Sequence, residues 1–250
     1  MDNDIYKYFG YNKPFTSKQL YEFYCRYEGS LNKNTFRWRV HKLKQQGKIS
    51  SIGRGIYILE EKINFNYTIT SEIKRIFNSA NKLFPDENMC IWSTNWLHNY
   101  MNHQPFNYFI ILEVDKDVID IVFQELKGKF NKIYLNPRNN QIDNYILDEN
   151  AIIIKPIVKE APVEIINKIK VPKIEKILVD LFFESSLLIM YQGQEMKNIF
   201  YEIFNKYTIN LTTLYRYAKN RGIKDKIETF LINDIQIENK YLREVQDDIR

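Results

Sequence analysis

Apolar residues in the first quarter of the chain recur at the spacing of amphipathic helices. The spacing predicts a short helix over 4–9 and a second helix that begins after the N-cap residue Thr16. A third helix is expected from an N-cap at Asn32 or Asn34 to Gly47, since glycine commonly follows the last helical residue. The pattern therefore predicts three helices within fewer than fifty residues.

Beyond Gly47 the pattern changes from helical spacing to short apolar runs. Residues 48–52 and 56–59 are predicted to pair as a β-hairpin around the tight turn Gly53-Arg54-Gly55. Three helices followed by a hairpin with an arginine at its tip are typical of a winged helix-turn-helix. Units of this kind bind DNA or, alternatively, other proteins, and the charge distribution separates these possibilities.

The net charge of +5 is concentrated at the start of the chain. Residues 1–62 hold 12 Lys and Arg against 6 Asp and Glu, whereas residues 63–250 hold 24 against 25. Between Glu28 and Glu60 every charged residue is basic, and a stretch of one sign favours a polyanionic partner. These basic residues are Lys33, Arg37, Arg39, Lys42, Lys44, Lys48 and Arg54.

The third helix is predicted to present a basic surface. Phe36, Val40 and Leu43 share one face and are expected to pack into a core, which leaves other faces for solvent. A helix of this kind fits the major groove of DNA, and an arginine on the wing can contact a phosphate or the minor groove. We therefore predict contacts to double-stranded DNA from seven residues: Lys33, Thr35, Arg37, Trp38, His41, Lys44 and Arg54.

The rest of the chain is predicted to form a second domain. Strand and helix patterns alternate at first, and helical patterns alone follow Pro172. The expected fold class is α+β, with a winged helix-turn-helix over 1–62 and, over 66–250, a mixed α/β domain that ends in a helical bundle. Strands are predicted at 90–92, 107–114, 132–135 and 151–155. Helices are predicted at 70–83, 94–100, 117–126, 174–183, 190–207, 211–220 and 223–231, and a charged helix is expected at the C-terminus. Thr94 is the predicted N-cap of the helix at 94–100.

The composition excludes several classes of protein. The two cysteines, Cys25 and Cys90, lie far apart, so neither a disulfide scaffold nor a zinc ribbon is expected. The first residues are acidic and lack the apolar segment of a signal peptide, and no apolar run is long enough to span a membrane. We expect a cytoplasmic protein with no membrane partner, no cofactor and no bound metal.

Two groups of residues could nevertheless bind a metal ion or take part in catalysis. Asp115 and Asp117 follow a strong strand, a position from which carboxylates can hold Mg²⁺, and Glu113 lies close by in the sequence. The alternative function is therefore a DNA-targeted, metal-dependent nuclease or nucleotidyltransferase, although a polar turn with Asp115 or Asp117 as a helix N-cap explains the same residues. His98 and His103 are five residues apart, which suits capping or packing better than a shared metal.

Seven short motifs resemble those of one family, the AbiEi-type antitoxins of type IV abortive-infection toxin–antitoxin systems. The resemblance covers most of residues 15–222, and the motifs occur in the same order. The N-terminal motifs are Thr16-Ser-Lys-Gln-Leu, Phe36-Arg-Trp-Arg-Val-His-Lys-Leu and Gly47-Lys-Ile through Gly53-Arg-Gly-Ile-Tyr. The later motifs are Ile91-Trp-Ser-Thr, Phe109-Ile-Ile-Leu-Glu, Val171-Pro-Lys-Ile-Glu-Lys-Ile-Leu-Val-Asp-Leu and Leu214-Tyr-Arg-Tyr-Ala-Lys-Asn-Arg-Gly.

The resemblance implies a protein of two parts that is not an enzyme. The winged helix would bind the operator of its own operon and repress transcription. The second domain would counteract a nucleotidyltransferase-like toxin, with or without a stable complex, in defence against phage. We expect Arg216, Lys219 and Arg221 to serve toxin antagonism, and the alternative is that they form a solvated helix end. A third hypothesis is a regulator whose second domain binds a ligand or a partner.

Overall fold

The computed structural model describes most of the 250-residue chain and shows a mixed α+β protein. The described residues are 2–10, 13–45, 48–59, 65–137, 142, 146–147 and 149–235. Gly47, most of the segment between the two predicted domains, and the expected C-terminal helix lie outside them. In the described part of the chain, no helix is both long enough and apolar enough to cross a membrane.

The N-terminal part combines three helices with a small antiparallel sheet. The helices are α1 (Asp2–Phe9), α2 (Ser17–Glu28) and α3 (Lys33–Gln45), and the strands are β1 (Phe15–Thr16), β2 (Ser50–Gly53) and β3 (Ile56–Ile58). The strand order is β1-β3-β2, so that the predicted hairpin gains a third, two-residue strand on the side of β3. The sequence did not predict β1, because two residues are too few to show a period.

Local signals mark both ends of α2 and the start of α3, as predicted, whereas α1 begins at Asp2, two residues earlier than expected. The side chain of Thr16 accepts a hydrogen bond from Gln19 N, and the side chain of Gln19 accepts one from Thr16 N, which forms a capping box. Gly29 ends α2 with a φ of 77°, a left-handed value that glycine adopts at little cost. Asn32 Oδ1 accepts from Asn34 N at the start of α3.

The second part contains a four-stranded sheet, a separate hairpin and six α-helices within the described residues. The strands are β4 (Met89–Ser93), β5 (Phe109–Val114), β6 (Ile133–Leu135), β7 (Ala151–Pro156), β8 (Val163–Ile166) and β9 (Ile169–Pro172). The helices are α4 (Ser71–Leu83), α5 (Ile119–Lys127), α6 (Ile174–Phe183), α7 (Gln194–Lys206), α8 (Leu211–Asn220) and α9 (Lys224–Asn233), with 3₁₀ helices at Thr94–Tyr100 and Ile189–Tyr191.

The sheet of the second part has the order β4-β5-β7-β6. Strand β4 runs antiparallel to β5, whereas β7 runs parallel to both β5 and β6. All residues of β5 are buried, as its continuous apolar run predicts for a central strand. Helices α4 and α5 pack on this sheet, and the β8–β9 hairpin contacts β4.

The hairpin β8–β9 was not predicted from the sequence. Its two strands are joined by Asn167 and Lys168, whose φ values are 51° and 68°. Two successive positive φ values are typical of a type I′ turn, which usually carries glycine at its second position. Lysine occupies that position here, so the sequence gives no turn signal.

Three other local predictions are wrong. Ser93, not Thr94, caps the helix at 94–100, which is a 3₁₀ helix, and the Thr94 side chain accepts from Phe109 N instead. Residues 190–207 are not one helix, because Gly193 with a φ of 64° separates the second 3₁₀ helix from α7. Neither Asp115 nor Asp117 is the N-cap of α5, since Val118 holds that position.

The two parts of the chain touch through apolar residues of the hairpin. Ile56 belongs to the core of the second part, and Ile52 packs against that core. Helix α8 also contacts strand β2. The N-terminal core itself is separate and consists of Ile5, Phe15, Leu20, Phe23, Tyr24, Leu31, Phe36, Val40, Leu43, Ile49, Tyr57 and Leu59.

Candidate nucleic-acid interface

Helix α3 is oriented as its apolar spacing predicts. Phe36, Val40 and Leu43 are buried in the N-terminal core. The predicted contact residues on the other faces of the helix are exposed to solvent. These are Lys33, Thr35, Arg37, Trp38 and His41.

Trp38 is the most unusual side chain on this surface, because it is large, apolar and 60% exposed. The ammonium group of Lys42 lies 5.1 Å from the centre of its ring, in a cation–π arrangement. Lys42 is itself exposed, although the sequence did not predict it as a contact residue. The exposed basic surface of α3 therefore consists of Lys33, Arg37 and Lys42, with Trp38 beside Lys42.

Arg54 lies in the exposed turn between β2 and β3. Gly55 follows it with a φ of 72°, which allows the tight reversal of the chain. The bulged register between Ser51 and Gly53 precedes the turn. The arginine therefore stands at the tip of the hairpin, as predicted.

Arg39 and Lys44 contact other residues of the N-terminal part. Arg39 donates to Glu28 Oε1 at 2.5 Å, and its guanidinium carbon lies 5.0 Å from the centre of the Tyr24 ring. Lys44 is half-buried, with Nζ 4.8 Å from the centre of the Tyr57 ring. Lys44 is thus the one predicted contact residue of α3 that does not lie on the exposed surface.

The three cations predicted for toxin antagonism do not form one surface. Arg216 and Lys219 are exposed on α8. Arg221 follows the last residue of α8, and its guanidinium lies 3.8 Å from the centre of the Phe183 ring. It also donates to Glu184 at 2.6 Å, and its Nε lies 3.4 Å from Asp180 Oδ1.

Arg221 belongs to a buried group of charges that was not predicted from the sequence. Lys176, which has no exposed surface, donates to Glu113 Oε1 and to Asp180 Oδ2, each at 2.5 Å. The hydroxyl of Tyr217 donates to Asp180 Oδ1 at 2.9 Å. The sequence held one signal for this group: Glu113 lies within the buried strand β5, and Lys176 and Asp180 lie among the apolar residues of α6. We call Glu113, Lys176, Asp180 and Arg221 the buried charge cluster.

Burial and the neighbouring charges shift the pKa values of Glu113 and Lys176 in opposite directions. Burial raises the pKa of Glu113 above its usual value, although the Lys176 ammonium acts against this shift. Burial would lower the pKa of Lys176, but the carboxylates of Asp180 and Glu113 outweigh that effect and raise it. Lys176 is therefore held in its charged form between two acids.

The carboxylates of the alternative, enzymatic function are not brought together. Glu113 binds Lys176, whereas Asp115 Oδ1 accepts from Asp117 N in the turn after β5. Asp115 is half-buried and Asp117 is exposed. Among the described residues, no group of three or more His, Cys, Asp or Glu side chains is arranged to hold a metal ion.

The two histidines have separate partners. His98 is buried, and its Nε2 lies 2.8 Å from the hydroxyl of Tyr191. His103 is exposed, with Nδ1 2.9 Å from Glu195 Oε1. Burial lowers the pKa of His98, which favours its neutral form in the core.

Most of the chain matches the model of a known protein family. A model described as a family of unknown function, DUF6577, matches residues 35–237. The chain belongs to this family. The DUF6577 match begins within α3 and extends through α9, so it includes the hairpin as well as the second part. No curated protein sequence and no solved structure matches the chain.

Proposed function

We propose that this DUF6577 protein is a DNA-binding antitoxin that represses its own operon. The proposal treats the N-terminal part as a winged helix in which α3 enters the major groove and the hairpin is the wing. The order α1-β1-α2-α3-β2-β3, with β1 paired to the hairpin, supports this interpretation. Contacts of α8 with α6 and α9 likewise support a helical bundle at the end of the second part.

The observation that carries the proposal is the exposed surface of α3. Lys33, Arg37 and Lys42 are exposed on a helix whose opposite face is fixed in the core. The helix has 13 residues and is about 20 Å long, and its diameter of about 10–12 Å fits a major groove about 12 Å wide. Arg37 is suited to a bidentate contact with guanine, and Arg54 to a phosphate or the minor groove.

The second part is proposed to counteract a nucleotidyltransferase-like toxin. This proposal rests on the resemblance of the later motifs to AbiEi-type antitoxins. Exposure of Arg216 and Lys219 makes both cations accessible to a partner. Arg221 instead packs in the buried charge cluster, so we assign it a role in supporting α8.

Binding of DNA by matched variants tests the first part of the proposal. Fluorescence anisotropy would measure the affinity of the full chain for duplex DNA from upstream of its own gene and for a scrambled duplex. Arg37→Ala should lose about 1–3 kcal/mol of preference for the upstream duplex, the range expected for one bidentate base contact. Lys74→Ala, which removes an exposed charge from α4, is the control and should bind as the wild type does.

Two results would contradict the assignment of α3 as the helix that reads bases. If Arg37→Ala keeps both the affinity and the preference of the wild type, α3 does not read bases. If Lys74→Ala weakens binding as much as Arg37→Ala does, the interaction reflects total charge and not a surface of α3.

Co-expression tests the second part of the proposal. The protein should relieve growth arrest caused by a nucleotidyltransferase-like protein encoded beside it. Arg216→Glu should reduce the relief, whereas Lys74→Glu on α4 should not. Unchanged growth arrest in the presence of the wild-type chain would remove the antitoxin function and leave DNA binding unaffected.

A further inference from the structure

A cleft of about 400 Å³ lies where the N-terminal part meets the second part. It is bounded by β2, by strand β8, and by the beginnings of α6 and α8. We call it the junction cleft and define it by Ser50, Tyr67, Glu164, Lys173, Glu175 and Thr208. Its volume lies within the range of about 300–1,000 Å³ that small-molecule sites occupy.

One wall of the junction cleft is aromatic and aliphatic. The rings of Phe65 and Tyr67 are 5.1 Å apart at an angle of 68°. Ile166 and Ile174 continue this wall. Aromatic rings beside branched aliphatic side chains favour contact with a flat, weakly polar ring.

Another wall carries two carboxylates that are already held in place. Glu164 Oε1 accepts from the Tyr67 hydroxyl at 2.6 Å, and Glu175 Oε1 accepts from Asn210 N at 2.8 Å. A carboxylate has two oxygens and about four acceptor positions, so each side chain can accept further hydrogen bonds. Fixed carboxylates are the groups that bind ribose hydroxyls in nucleotide sites.

A positive charge lies at the rim of the cleft, where Lys173 is exposed. The hydroxyl oxygens of Ser50 and Thr208 are buried and do not face the cleft, so they take no part in the site.

We propose that the junction cleft binds a purine nucleoside monophosphate. The base lies against Phe65 and Tyr67, where a purine covers more of the apolar wall than a pyrimidine does. The ribose hydroxyls donate to Glu164 and Glu175, and the phosphate lies near Lys173. This site is additional to the proposed DNA-binding function and does not depend on it.

Calorimetry on the full chain without DNA tests the site directly. Adenosine and guanosine monophosphates are the ligands, and uridine monophosphate, adenosine, inorganic phosphate and a free amino acid mixture are the comparisons. At least one purine monophosphate should bind at one site, ten times or more tighter than any of the comparisons. Absence of binding by both purine monophosphates at millimolar concentration would overturn the proposal, as would equal binding of inorganic phosphate.

Variants locate the bound nucleotide. Glu164→Gln keeps an acceptor for the Tyr67 hydroxyl but removes the charge, and it should weaken binding about tenfold or more, as the loss of a charge-assisted hydrogen bond does. Glu160→Gln is the matched control at an exposed turn residue and should bind as the wild type does. If Glu164→Gln binds as tightly as Glu160→Gln, the nucleotide is not in this cleft.

Discussion

Replacing Lys176 by methionine would leave Glu113 and Asp180 as two buried carboxylates without their shared cation. Lys176 has no exposed surface, and both of its ion pairs are 2.5 Å long. Removal of one partner from a buried ion pair costs about 3–5 kcal/mol of unfolding free energy. For a chain of this size that loss corresponds to a melting temperature about 6–20 °C lower.

Urea unfolding at pH 7 would measure this loss, and an exposed pair provides the control. Lys129 binds Glu125 at the same distance of 2.5 Å, but the two side chains are 50% and 39% exposed. Lys129→Met should therefore cost less than about 1 kcal/mol. The difference between the two losses of unfolding free energy reflects the burial of Lys176 and its second ion pair, because the distances are equal.

The loss in Lys176→Met should also depend on pH. Burial already raises the pKa of Glu113, and removal of the ammonium raises it further. A carboxyl whose pKa is raised in the folded state contributes stability below its unfolded pKa and loses it as the pH rises through the folded pKa. The variant should therefore approach the stability of the wild type as the pH falls from 8 to 5. A loss below 1 kcal/mol at pH 7, or one independent of pH, would refute this description of the cluster.

Three further predictions concern other parts of the chain. Thr16→Ala removes the capping box of α2 and should lower the unfolding free energy by about 1 kcal/mol in urea titrations, whereas no change would contradict the role of the cap. Arg221→Glu places a third carboxylate beside Glu184 and Asp180 and should lower the melting temperature, while Arg216→Glu on the exposed face should not; equal melting temperatures would contradict the buried position of Arg221. Incubation with nucleotides, RNA or DNA and Mg²⁺ or Mn²⁺ should give no turnover, and an activity that disappears in Asp115→Ala would favour the enzymatic alternative.

The sequence predicted the elements that have a long apolar pattern or a capping residue close to their start. Strand β5 and helices α4 and α6 have sustained apolar patterns, and the capping residue Thr16 marks the start of α2 directly. The exposed surface of α3 was predictable for the same reason, because the buried positions of Phe36 and Val40 determine which faces remain for solvent.

The features that were missed depend on residues distant in the sequence. Arg39 is paired with Glu28, eleven residues earlier, and Arg221 with Glu184, thirty-seven residues earlier. The spacing of apolar residues does not reveal such pairs, because each of these charged residues alone is typical of a solvent-exposed position. Lys176 differs from these residues, because it lies among the apolar residues of α6, and that position was an available signal for a buried charge.

The most direct test of DNA binding is the salt dependence of the affinity for the upstream duplex. Four basic residues lie exposed on α3 and at the hairpin tip: Lys33, Arg37, Lys42 and Arg54. If all four contact phosphates, log K should fall with log salt with a slope near −3.6, at about −0.9 per contact. We predict a slope between about −2 and −4 and tighter binding of the upstream duplex than of its scrambled counterpart. Equal affinity for the two duplexes together with a slope near zero would contradict the proposed function.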